Sequence, residues 1–128
     1  MNAEYAIHDL LSERTELTAL VADRIYPVML PQNVAVPAVL INQLSERQVI
    51  GKDGPVASGW EFQIDIMALD YPTVRQIARE VKQALNWQTR ELDTGQTVRT
   101  VFDDESDAAF EPEQKYYQIV QEYRARKL

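Results

Sequence analysis

The segment Asp103 to Glu113, DDESDAAFEPE, is the one cluster in this sequence with enough oxygen donors to suggest cation binding. Asp103, Glu105 and Asp107 alternate as the first ligands of a calcium loop do. Such a loop needs glycine at its sixth position and a bidentate glutamate at its twelfth, where this chain has Ala108 and Gln114. The pattern fails at both diagnostic places, so the segment reads as a solvated acidic turn between two strands. His8, the only histidine, falls on the polar side of an opening helix with neither a nucleophile nor a second imidazole in sequence reach. A general base needs placed partners, so His8 reads as a surface side chain. The glycines fall singly at Gly51, Gly54, Gly59 and Gly95, which gives no phosphate-cradling turn. Tyr116, Tyr117 and Tyr123 offer stacking faces, but single-strand binders set such faces in a positive groove and the neighbours here are of mixed charge. Core and interface packing is the better reading for them. No catalytic set, cofactor or metal site is expected.

With 128 residues, 45% hydrophobic and 26% charged, the chain fits one domain over residues 1–128. A net charge of -7 and a pI near 4.7 argue against a basic face that grips nucleic acid. Cysteine is absent, which removes disulfides, thiolate metal sites and thiol nucleophiles. Met1 to Leu11 lacks a basic segment followed by an apolar one, and no apolar run approaches the ~20 residues that span a bilayer. The expectation is a soluble, cytoplasmic chain with no membrane partner.

Ala3, Ile7, Leu10 and Leu11 recur at helical spacing, and Leu17, Leu20 and Val21 mark a second short helical stretch within Glu16 to Ala22. Next comes DRIYPVMLPQNVAVPAVLI, Asp23 to Ile41, an apolar run broken by Pro27, Pro31 and Pro37. Each proline lacks an amide donor and fixes φ, so the run cannot be one continuous central strand. It divides into an edge segment at Ile25 and Tyr26, an extended connection over Val28 to Ala35, and a strand from Pro37 to about Val49. The glycines and proline of Arg47 to Gly59 predict a long hairpin loop or flexible arm. Trp60 to Ala68 alternates apolar Trp60, Phe62, Ile64 and Ile66 with Glu61, Gln63 and Asp65, the signature of a strand buried on one face. Asp70 as a cap, Pro72 in the first turn and the stripe Val74, Ile77, Ala78, Val81, Ala84 and Leu85 predict a helix, with Arg75, Arg79 and Lys82 solvated on its far side. Thr97 to Asp104 and Lys115 to Arg126 supply two further strands. The predicted fold is α+β, of order α-β-β-α-β-β: an antiparallel sheet of four strands, or slightly more, with two main helices on one face.

Three stretches, LTALVADRIYPVMLPQNVAVPAVLI (Leu17 to Ile41), FQIDIMALDYPTVRQIAREVKQAL (Phe62 to Leu85) and FEPEQKYYQIVQEYR (Phe110 to Arg124), follow in order across nearly the whole chain. In this order they resemble the tail-completion, or tail-terminator, proteins of long-tailed bacteriophages and prophages. The chain departs from that pattern at Val28 and Met29, where a small residue is usual, and in the acidic run Asp103 to Asp107. The resemblance implies a structural subunit, not an enzyme. Such subunits close into a ring, commonly a hexamer, on the finished tail tube, end its polymerisation and offer a joining surface to the head connector. The partners implied are further copies of the chain, the tube protein and the connector or neck protein, with DNA passing through unbound. The setting implied is the host cytoplasm during assembly and then the tail-neck region of the virion. The alternatives are another neck or head-closure component or, from a different class, an accessory binding subunit or enzyme outside phages.

Within that reading, Ile25, Tyr26, Val28, Met29, Leu30, Val49, Ile50, Lys52 and Asp53 form the expected assembly interface, because irregular segments carry apolar groups that a solvated loop does not need. Glu61, Asp65, Asp103, Asp104, Glu105 and Asp107, with Asp53 shared between the two sets, are the expected channel-facing carboxylates that would keep phosphate from adhering.

Overall fold

A computed structural model describes residues 3–27, 35–52, 54–92 and 94–128. Two short helices open the chain, α1 (Ala3–Ser12) and α2 (Thr15–Val21). They are followed by β1 (Ile25–Pro27), β2 (Ala38–Gly51), β3 (Gly54–Ala68), the long helix α3 (Tyr71–Leu85), β4 (Gln88–Glu91), β5 (Thr97–Glu105), β6 (Ala109–Glu111) and β7 (Tyr116–Lys127). The strands make one seven-stranded sheet in the order β1-β2-β3-β7-β5-β4, with β6 also paired to β7.

The alternation in β3 sets the layers. Phe62, Ile64 and Ile66 are fully buried. Across the sheet they stand level with Gln43, Ile41 and Val39 of β2 and with Tyr123, Gln121 and Ile119 of β7. All six apolar residues of the α3 stripe are buried in the same core cluster, joined by Ile7, Leu11, Leu17 and Val21 of the opening helices. Each large aliphatic side chain buried there contributes about 1.5 to 3 kcal/mol of transfer free energy. Helix α3 begins where Asp70 Oδ1 accepts the Thr73 amide at 2.9 Å, with Pro72 in the first turn. Hydrogen bonding from Thr73 holds the Asp70 carboxyl below the usual carboxylate range.

One polar network crosses the core between α3 and the sheet. The Tyr123 hydroxyl donates to Gln121 Oε1 at 2.6 Å, and Gln121 Nε2 donates to the Ala78 carbonyl at 2.9 Å and to Glu105 Oε1 at 2.8 Å. Glu105 also accepts from Arg75 at 3.4 Å. The buried amide thereby has both its donor and its acceptor satisfied, as an interior polar group must. Burial, reinforced by the nearby Glu105 charge, pushes the Tyr123 phenol far above its ordinary value.

Several expectations are corrected. The sheet has seven strands, against the four or slightly more expected, because β4 (QTRE) and β6 (AFE) are short and carry no apolar alternation to announce them. Strand β4 is held as an edge by β5, by the Trp87 amide bonded to the Thr100 carbonyl at 2.8 Å, and by Arg90, which binds Glu13 in the turn just after α1. The sheet is not wholly antiparallel, since the edge segment expected at Ile25 and Tyr26 pairs parallel with Val39 and Leu40. The second long strand starts at Ala38, one residue after Pro37. Of the two readings of Arg47 to Gly59, the loop is corrected and an arm remains: β2 and β3 stay paired out to Gly51 and Gly54, with register shifts at Gln43/Ser45 and Val49/Ile50.

The acidic stretch is not a turn either. Asp103 to Glu105 complete β5, and the Ser106 amide donates to the Val120 carbonyl at 2.8 Å, so β6 resumes pairing on the same side of β7. Of the three cations expected to be solvated on the far side of α3, only Arg79 stands exposed without a described contact. Arg75 bonds Tyr71 and Glu105, and the Lys82 ammonium lies 4.0 Å from the centre of the Phe102 ring.

Candidate assembly interface

The long hairpin is the feature that most departs from a closed domain. Strand β3 pairs with β7 only from Gly59 onward, where Gly59 stands opposite Arg126. Strand β1 covers β2 only at Val39 to Ile41. Beyond those points, among the described residues, the two strands pair with each other alone, and outer strand edges of that kind are the usual template for another chain. Five residues beyond Gly59 carry β3 out by about 17 Å. Gly59 marks the base of this arm for a steric reason: a Cβ there would lie 2.5 Å from the Ala125 carbonyl oxygen. Only glycine lets β7 approach that closely.

Of the expected interface residues, Ile25 is buried in the core and Tyr26 is half-buried on β1. Ile25 is therefore a packing residue, a correction to its expected role. Lys52 is exposed between the two arm strands. Val28, Met29, Leu30, Asp53 and the side chains of Val49 and Ile50 lie outside the described residues.

The expected channel carboxylates do not form one set. Strand alternation puts Glu61 and Asp65 on the sheet face opposite the helices, where Ser45 donates to Glu61 at 3.3 Å and Asn42 and Gln63 donate to Asp65 at 3.3 and 2.8 Å. Asp104 stands opposite Glu122 on that same face, and Asp103, at the register shift in β5, pairs with Arg124 at 3.5 Å. Glu105 is the exception. One residue further along the strand it points to the helix side, into the Gln121 and Arg75 network, and so is removed from the channel set. Asp107 is exposed in the link between β5 and β6. Because alternation sends neighbouring carboxylates to opposite faces, no three His, Asp or Glu side chains among the described residues converge on a cation position.

Reasoning from the sequence missed the other charges of that face. Glu122, Arg124 and Arg126 alternate with buried Gln121, Tyr123 and Ala125 along β7. The period-two pattern in QEYRAR was the signal that could have found them. In register, Arg126 and Arg99 make a basic row beside the base of the arm, followed by Glu61 with Arg124, then Asp104 with Glu122, then Asp65. The face is charged in tiers and is not uniformly acidic.

Elsewhere a surface cleft of about 300 Å³ lies between α1, α2 and the end of α3, and its one cation, Arg14, already donates to Glu80 at 2.8 Å. No helix among the described residues is long and apolar enough to cross a membrane.

Comparison with curated protein sequences finds no match. Among solved structures, the fold is similar to a chain in the virion of a native gene transfer agent particle, with a TM-score of 0.72 at 20% identity over 94% of this chain and 90% of that one. A family model described as Tail completion protein gp17 matches residues 5–127, nearly the whole described fold from α1 to β7. This chain therefore belongs to the tail completion protein gp17 family.

Proposed function

We propose that the chain is a structural tail-neck subunit that closes into a ring, of six copies by the family resemblance, on the end of a finished tail tube. The ring ends tube polymerisation and presents a surface to the head connector. Assembly takes place in the host cytoplasm, and the ring stays in the virion between tail and head, with DNA passing through without specific binding. The observation that carries this reading is the arm, two strands standing free of the sheet in a chain of a tail-completion family. Open strand edges of that length are an aggregation hazard unless another chain covers them, and a ring of identical subunits covers every edge alike.

The tiered face of the sheet is the part that would line the channel. Its carboxylates at Glu61, Asp65, Asp104 and Glu122 would repel the DNA backbone, and its arginines near the arm would hold neighbouring subunits. The test is deletion of Ile50 to Ala57. The shortened chain should fold, as judged by an unchanged melting transition, and should leave tails of unregulated length that join no heads in negative-stain images. Normal tail lengths and normal joining would overturn the proposal.

A further inference from the structure

At the end of the sheet away from the arm lies a second uncovered apolar feature. Leu69, Tyr71 and Phe110 are 65%, 47% and 49% exposed, three of the six large hydrophobic side chains in that state among the described residues. They are not scattered. Tyr117 lies between Tyr71 and Phe110, with edge-to-face ring contacts at 6.1 Å and 5.2 Å. The Arg75 guanidinium sits 5.4 Å over the Tyr71 ring while its Nε donates to the Tyr71 hydroxyl at 3.0 Å. The rings are therefore held as a preformed platform, which lowers the entropy lost when something covers it. Next to it β6, exposed at all three residues, is paired among the described residues only with β7, which leaves its other edge open there.

We infer that this platform is the seat for the hairpin arm of a second copy of the chain, a step that rests on the ring reading above. The arm cannot reach its own platform. Nine residues of β3 separate Gly59 at the arm's base from Ala68 beside Tyr117, about 30 Å, and the arm continues in the opposite direction. It nevertheless needs cover, because a two-stranded hairpin is marginal in water and this one carries Val49, Ile50, Val56 and Ala57 in its sequence. Its open edges can pair with the open edge of β6 as the aromatic rings take up its apolar residues. Charge favours the seating: Arg47 and Lys52 outnumber Asp53 in the arm's sequence, and exposed Asp70, Asp107, Glu111 and Glu113 outnumber Arg75 and Lys115 around the platform. Donor and acceptor lie on different surfaces of one chain, so the contact is head-to-tail, and repeated contacts of that kind close into a ring when the rotation allows.

The chain has no cysteine, so engineered pairs report this contact without interference. Chains carrying I50C and F110C are purified separately, mixed with and without tail tubes, and oxidised mildly. A mixture of I50C with S12C, on exposed Ser12 of α1, measures random collision. Disulfide formation between I50C and F110C at least ten times faster than with S12C is the expected result. A smaller ratio under both conditions overturns the inference. Melting curves of each variant confirm folding, and tail completion by the unmodified chain is scored in parallel. A chain that completes tails while the ratio stays low keeps the proposed function and loses the arm-to-platform contact.

Discussion

The two faces of the sheet are built on opposite principles. On the helix side every central position is filled, from Val39 and Ile41 through Phe62, Ile64 and Ile66 to Ile119, and the only polar side chains fully enclosed among the described residues are Thr100 and Gln121. Each has its partners: the Thr100 hydroxyl donates to the Leu85 carbonyl at the end of α3, and Gln121 is bonded to Ala78, Glu105 and Tyr123. On the other side the same strands carry charges in rows, and Asp104 and Glu122 even stand directly opposite one another. Like charges in that position cost stability. One face is organised for folding, whereas the other holds groups that folding alone would not choose.

The sharpest way to break the comparison is a cavity on the helix side. Ile64→Ala removes a fully buried side chain between Ile41 and Gln121. A loss of about 2 to 5 kcal/mol is expected in chemical denaturation. Truncation of neighbouring Gln63, on the other face, should cost far less. Equal losses at the two positions would mean that the faces are not distinct.

Next in size is the seam between body and arm. Gly59→Ala forces a methyl group against the Ala125 carbonyl, 2.5 Å from the ideal Cβ, and backbone must give way. A loss of about 1 to 3 kcal/mol is expected, typical of overpacking. Amide exchange should quicken at Trp60 and Ala125, leaving Ile64 and Ile119 protected. Uniform quickening would show that the arm's base is not a separate seam.

A third test uses the buried phenol. Tyr123 ionises near pH 10 when unfolded, but its folded pKa is raised by burial. Between those values the unfolded state holds fewer protons, so stability falls as pH rises, by about 1.4 kcal/mol per pH unit above pH 10. Tyr123→Phe leaves Gln121 Oε1 without its donor and should cost about 1 kcal/mol at neutral pH. The variant is insensitive to that alkaline loss, so the two denaturation midpoints should cross near pH 11, about one unit above the unfolded value. Parallel pH curves would show that Tyr123 is not the group that titrates.

The helix-side face was legible because burial writes itself into period. The stripe of α3 named its buried residues, the alternation in β3 named Phe62, Ile64 and Ile66 correctly but also Trp60, which is only partly buried, and Asp70 named its own capping role. The edges were not legible. QTRE in β4 has no apolar alternation, and its position depends on Arg90 meeting Glu13, 77 residues away in the chain. The glycines and proline of the arm spoke for a loop, but tertiary pairing carried β2 and β3 through them with two register shifts. Local composition cannot show that a partner strand will hold a glycine-rich stretch extended. Among the candidate site residues, Glu105 was misassigned for a related reason. Three carboxylates in a row look alike in sequence, and the register shift after Phe102 decides which of them turns inward.

The smallest effect, and the one with opposite sign, belongs to the charged face. Asp104 and Glu122 are cross-strand neighbours, and the Asp104 carboxylate accepts from the Glu105 amide at 2.8 Å, leaving Glu122 as the simpler group to change. Glu122→Gln keeps the shape and relieves the repulsion, so stability should rise by a few tenths of a kcal/mol, within the ~0.2 to 1 kcal/mol range of such pairs. If the face lines the channel, the same change, made together with Asp65→Asn, should slow genome release in a dye-uptake ejection assay and leave tail completion intact. A gain in stability with slower release would show that the face trades folding energy for passage of DNA. A gain with unchanged release would leave its carboxylates no part in transit and return them to the ordinary work of keeping an acidic protein in solution.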